Sequence, residues 1–163
     1  MSGSPDSGAA RVRVATAADR ISLAGLRWRW RVEERGEQGM DRESFIAAFV
    51  AWAESHESTH TAFVAEAGDN AAGMAWLNTF HRIPGPQRWD RRAGNVQSVY
   101  VLPQWRNRGV GALLMHAVIA EARTAGLEYL AVHIADRAEQ FYRRLGFIQR
   151  DDALELDLRG EQR

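Results

Sequence analysis

One turn, Arg106-Asn107-Arg108-Gly109-Val110-Gly111-Ala112, constrains this chain more than any other stretch. An apolar run from Val96 to Leu102 precedes it, and Val110, Leu113, Leu114, Ala117 and Val118 follow at helical spacing. A strand, a glycine turn and a helix in that order present several backbone N–H groups at a helix N-terminus. Unpaired donors and the positive end of the helix dipole converge there on an anion. Two glycines let the backbone approach a ligand with no Cβ in the way. The same Gly-x-Gly also serves as a plain tight turn, so spacing alone leaves both readings open. Two other phosphate loops are excluded. A dinucleotide fingerprint needs a third glycine where Leu114 stands, and no Gly-Lys-Ser/Thr follows to make a P-loop.

A second motif lies downstream: Ala138-Glu139-Gln140-Phe141-Tyr142-Arg143-Arg144-Leu145-Gly146-Phe147. The two are about thirty residues apart with a strand between them, the scale of a βαβ unit. Together they resemble the GNAT superfamily, the acetyl-CoA-dependent N-acetyltransferases. Arg106, Gly109 and Gly111 fill the family's cofactor turn, and Ala138, Phe141, Tyr142, Gly146 and Phe147 fit its later helix. The close match runs from about Val96 to Phe147.

Composition adds exclusions. A chain of 163 residues with 45% hydrophobic content suits one globular domain. Its 21 basic and 21 acidic residues cancel, so no global field draws nucleic acid or anionic lipid. The absence of cysteine removes disulfides, thiolate zinc sites and a cysteine nucleophile. No apolar run approaches the ~20 residues that span a membrane. Residues 1–10, rich in Gly, Ser and Ala, read as a disordered leader without a signal core. Residues 11–158 read as one domain and 159–163 as a tail. A cytoplasmic protein is the expectation.

The pattern along the chain gives the order β-α-α-β-β-β-α-β-α-β-β. Val12 and Val14 mark a first strand, and Thr16 with Asp19 resembles a capping box. Leu23, Leu26 and Trp30 mark a helix ending near Gly36, and Asp41 caps a second helix with Phe45, Phe49 and Trp52 on one stripe. Strands are expected at Thr61 to Glu66 and Ala72 to Phe80, joined by a Gly68-Asp69-Asn70 hairpin. Arg82 to Arg92 is an exposed loop holding Trp89; it reads as a connection, with a site cover or a subunit contact as its other roles. Gly126 stops the helix after the glycine turn. Leu127 to Ile134 is a strand, Asp136 caps the helix with Tyr142, and Phe147 to Arg150 and Ala153 to Leu158 are the last strands. The expected fold is an α/β (α+β) mixed sheet, mostly antiparallel, of about seven strands with about four helices. The resemblance adds a central parallel pair that splays apart.

It also implies site roles. The turn Arg106, Asn107, Arg108, Gly109, Val110, Gly111 and Ala112, with Ala138 and Tyr142, would bind acetyl-CoA, and the backbone of Val99, Tyr100 and Val101 would pair with pantetheine. Tyr142 takes the position of the acid that protonates the leaving thiolate; a phenol stays protonated at neutral pH. Many members carry a glutamate on the strand before the turn. Asn95-Val96-Gln97-Ser98-Val99 has no carboxylate, so Gln97 orients a water or the acceptor. The base is then a water chain, Glu33, Glu34 or His133, of which histidine has the most suitable intrinsic pKa, or the acceptor has a pKa low enough to arrive neutral without a dedicated base. Glu33, Glu34, Glu37, Asp41, Asp151 and Asp152 are expected to attract a cationic amine, a small molecule or peptide, as acceptor. A homodimer is the common form for such domains. The alternative is a non-catalytic acyl-CoA-binding module that keeps the cofactor turn.

Overall fold

Alternating apolar residues pair into a sheet, and helical stripes cover it on both faces. The computed structural model describes residues 8–159; the rest of the expected leader and tail lies outside the described residues. Strands β1 (Arg11–Val14), β2 (His60–Ala67), β3 (Asn70–His81), β4 (Arg92–Val101) and β5 (Leu130–Val132) lie in sequence order in one sheet. All neighbours are antiparallel except β4 and β5, which run parallel. Helices α1 (Arg20–Trp28), α2 (Arg42–Ser55), α3 (Val110–Thr124) and α4 (Glu139–Arg144) complete the order. The contacts gather into two compact units, one ending at His133 and one beginning at Ile134, a boundary inside the span that the sequence reads as one domain.

In the first unit, Leu23 and Leu26 of α1 and Ala53 of α2 bury against Val64, Met74, Trp76 and Tyr100 of the sheet. On α3, Val110, Leu114, Met115 and Val118 are buried, and this helix packs across β1 to β4. Gly73 permits that approach: a Cβ there would stand 2.8 Å from the Tyr100 carbonyl oxygen and 3.3 Å from Leu114.

The local signals act as expected. The Asp19 carboxylate accepts from the Thr16 amide at 2.7 Å, and the Asp41 carboxylate accepts from the Ser44 amide at 3.0 Å, each at a helix start. Gly68 (φ 60°) turns the hairpin and Gly126 (φ 69°) ends α3. Three details differ. The first helix does not stay regular: Arg29–Glu34 continues it as a π-helix. β5 is shorter than expected, because the Leu127 amide closes α3 by donating to Ala122, and pairing with β4 begins only with the Glu128 amide on the Arg92 carbonyl. The two C-terminal strands do not form among the described residues, so the sheet has five strands rather than about seven. Leu154, Leu156 and Leu158 alternate as a strand would, but each is at least 80% exposed. Among its described residues the second unit holds no strand for them to pair with, and a lone strand has no ladder to stabilise it.

Candidate active site

β4 carries a bulge. Met74 lies opposite Tyr100 and Trp76 opposite Gln97, so Ala75 faces both Ser98 and Val99. Ser98 takes φ 53°, unusual for a residue with a Cβ. Pairing with β5 stops just before it, at Val96 with Val132. The parallel pair thus parts where the bulge begins, and β4 runs on with that edge uncovered by β5. The Leu102 amide donates to Ala72. By the alternation of an antiparallel ladder, Val101 then turns its N–H and C=O away from β3, toward the parted side. Its carbonyl accepts from Arg106 Nε at 2.9 Å.

The glycine turn follows the 3-10 turn Pro103–Trp105. Asn107 (φ 59°) and Gly109 (φ 79°) are both left-handed, and Gly109 is the N-cap of α3. A Cβ at Gly109 would meet nothing within 4 Å. Among the described residues, no backbone carbonyl or side chain accepts from the N–H groups of Asn107 through Ala112. The donors that an anion would need are therefore unspent. Arg108 lays its guanidinium 5.1 Å from the Trp105 ring centre.

Arg106 has other employment. It donates to Glu34 Oε2 at 2.9 Å and sits 5.6 Å from the Tyr100 ring centre, while the Tyr100 hydroxyl donates to the other Glu34 oxygen. Burial raises the Glu34 pKa, but the bonds from Tyr100 and Arg106 outweigh it and hold the carboxyl below its usual range. Burial, helped by Glu34, pushes the Tyr100 phenol up to about 12. Glu34 is thus a committed anion and a weak proton acceptor.

Gln97 and His133 each directly follow the last β4–β5 pair, Val96 with Val132. Gln97 is exposed opposite Trp76, and His133 is exposed just after β5. Glu33 is exposed, 3.9 Å from Arg29. The carboxylates expected to draw a cationic amine are mostly engaged: Glu37 pairs with Arg31 at 2.5 Å, Asp41 caps α2, and Asp152 pairs with Arg150 at 2.8 Å. In the second unit, Ala138 is the N-cap of α4. Tyr142 is buried, its ring edge-on to Phe141 and Phe147 at 5.0 and 5.5 Å, and burial raises its pKa, so the phenol keeps its proton at neutral pH.

Sequence reasoning missed Arg27, Trp30 and Arg35. Arg27 donates to Ser98 Oγ at the bulge, at 2.9 Å, and Trp30 stacks on Tyr100 at 5.5 Å. The signal was present as spacing: residues 27, 30, 31, 34 and 35 fall on one helical stripe.

A model of the acetyltransferase (GNAT) family matches residues 22–147. The chain belongs to this family. Family membership makes it an acyltransferase with acetyl-CoA as cofactor, and the unspent amides at the α3 N-terminus fit that cofactor's phosphates. Solved structures show the same fold. A predicted acetyltransferase with acetyl-CoA from Clostridium acetobutylicum superposes with TM-score 0.76 at 19% identity, over 92% of this chain and 97% of that one. An acetyltransferase from Trypanosoma brucei gives 0.70 at 20% identity, over 92% and 100%. Glucosamine-6-phosphate N-acetyltransferase from Arabidopsis thaliana gives 0.70 at 15% identity, over 93% and 99%. No curated protein matches the sequence. Among the described residues, no helix is long and apolar enough to cross a membrane and no group of side chains is built to hold a metal ion.

Proposed function

We propose that the chain transfers the acetyl group of acetyl-CoA to a primary amine of a small molecule or peptide, by direct attack in a ternary complex. The observation that carries this reading is the run of unpartnered N–H groups from Asn107 to Ala112 on a left-handed turn, next to the point where β4 and β5 part. Those amides hold the pyrophosphate and Arg108 adds charge. The Val101 N–H and the backbone of Val99 hold the pantetheine arm, the Tyr100 backbone being turned toward β3. When bound, the cofactor supplies an acetyl thioester.

The acceptor arrives as a cation and must shed a proton before its nitrogen can attack. His133 and Glu33 are the proposed proton acceptors, and Gln97 orients the amine or a water. Tyr142 donates its phenolic proton to the departing thiolate, a role supported by the burial that keeps it protonated.

Release of free CoA thiol with a mixed-amine library tests the reaction. The Tyr142→Phe variant is expected to lower kcat by roughly a hundredfold with little change in KM for acetyl-CoA. Unchanged turnover would remove the acid role, and no calorimetric heat with coenzyme A would remove the cofactor site. The missing carboxylate at 95–99 favours one other reading, a non-catalytic acyl-CoA-binding module. It predicts that heat without thiol release.

A further inference from the structure

The other half-buried arginines of the first unit answer to a carboxylate, among them Arg82 and Arg91 to Glu128, Arg31 to Glu37 and Arg20 to Glu57. Arg27 does not. Among the described arginines that form no ion pair, it is the one drawn out of solvent. Its single hydrogen bond goes to a neutral hydroxyl, that of Ser98. Its guanidinium lies 5.3 Å from the Trp30 ring centre, and that of Arg35 lies at the same distance. Arg31 stands on the same stripe; its charge and that of Arg35 bear on Arg27, opposed among the described residues by the charge of Glu37. Glu37 is itself bound to Arg31.

A half-buried cation in such company is costly. Burial, and then the charges of Arg31 and Arg35, push its pKa down. The ring face and one hydroxyl compensate only in part. The location is as informative as the charge. Ser98 is the left-handed residue of the bulge, at the level where β4 loses β5. On the side toward the glycine turn, the stripe is closed by the neutral pair Glu34–Arg106. The excess charge therefore faces the middle of β4, not the phosphate-binding amides.

We propose that Arg27, assisted by Arg35, binds an oxyanion on the acceptor, so that the substrate is an amine that also carries a carboxylate or phosphate group. This rests on the acetyl-transfer reading above and narrows it. Arg27 offers a planar fork matched to such an oxyanion, and Trp30 fixes the fork's plane. An anion there completes the missing partner of a cation that the fold already holds in place.

The test uses two matched pairs of acceptors, glycine with glycinamide and O-phosphoethanolamine with ethanolamine, and follows CoA thiol release at saturating acetyl-CoA. In one pair the anionic member is expected to exceed the neutral one in kcat/KM by about tenfold or more, the size of one hydrogen bond to a charged group. The pair that shows it distinguishes carboxylate from phosphate. Arg27→Gln should erase the preference through the acceptor KM while the KM for acetyl-CoA holds. Arg27→Lys should keep part of it, and Arg35→Gln should reduce it less. Arg35→Gln carries the same test should Arg27→Gln not fold. Equal or better use of the neutral members overturns the proposal, as does a preference that survives Arg27→Gln. Turnover of no amine at all sinks the acetyl-transfer reading itself, a result distinguishable from these.

Discussion

Two arginine clusters in the first unit make an instructive contrast. At the corner where α3 meets β5, Arg82 and Arg91 bond to Glu128 at 2.6 and 2.9 Å, and Arg88 reaches the Gly126 carbonyl at 2.8 Å. Every guanidinium there has an acceptor, with Arg82, Arg88 and Arg91 sharing the one Glu128 carboxylate, and the result anchors the loop between β3 and β4 at the far end of α3 from the glycine turn. That loop, with Trp89 82% exposed, is a fastened connection and does not cover the turn. Around Trp30, by contrast, Arg27 and Arg35 have ring faces and a hydroxyl but no carboxylate. Saturated pairs hold structure together. An unsaturated, half-buried cation is left for something that the chain does not contain.

The sharpest way to break this contrast is to remove one arginine from each cluster. Arg27→Gln should cost about tenfold or more in the anionic-acceptor preference and little in thermal midpoint. Arg91→Gln should lower the midpoint and leave the acceptor preference intact. If the two variants exchange phenotypes, pairing is no guide to role here.

The glycines offer a second contrast. A Cβ at Gly94 would stand 2.8 Å from Leu77 and 2.9 Å from Leu130, whereas one at Gly109 meets nothing. Gly94→Ala should therefore destabilise the fold by about 1–3 kcal/mol, a fall of several degrees in Tm, through overpacking. Gly109→Ala should cost about 1 kcal/mol for its left-handed backbone and should raise the KM for acetyl-CoA severalfold, because the turn must hold its amides in line. A Gly109→Ala variant with unaltered cofactor affinity would separate the turn from the phosphates.

How much of this was legible in the sequence follows from the range of each interaction. Caps, the hairpin and both helix stops were readable, since Asp41, Gly68 and Gly126 act within a few residues of themselves. The glycine turn was readable for the same reason. The C-terminal strands were misread because Leu154, Leu156 and Leu158 carry the alternation of a strand, and alternation says nothing about whether a partner edge exists. The Arg27–Ser98 contact joins residues 71 positions apart, and the Glu34–Arg106 pair joins residues 72 apart. No local pattern announces such pairings. Glu34 was on view as one of several candidate bases, yet only its bonds to Tyr100 and Arg106 show it to be a committed anion.

Acid should act on the saturated cluster in a defined window. Bonds from Arg91 and Arg82 outweigh burial and hold the Glu128 pKa at about 2, against the ordinary 4.5. A depressed folded pKa means that the stabilisation is complete above the ordinary value and is lost as pH falls through the folded one. Asp19, held at about 2 mainly by Arg13, titrates in the same window. Glu128→Gln should therefore flatten, not abolish, the fall in stability between pH 4.5 and 2. A variant as acid-sensitive as the parent would show that Glu128 is not the anchor.

The smallest expected effect tests whether the Glu34 pair belongs with the saturated cluster. Tyr100→Phe removes one donor to Glu34 but keeps the ring that stacks on Trp30, and Arg106 still holds the other carboxylate oxygen at 2.9 Å. Water can replace the lost hydroxyl at this partly exposed carboxylate, so the stability change should be about 1 kcal/mol or less. The Glu34 carboxyl should titrate higher, toward its ordinary value, in a carbon-13 NMR experiment, because one of its two stabilising bonds is gone. An unmoved Glu34 would mean that Arg106 alone fixes it. A large destabilisation would mean that the hydroxyl closes the stripe between Arg27 and the glycine turn, and the boundary between acceptor charge and cofactor charge would then rest on Tyr100 rather than on the ion pair.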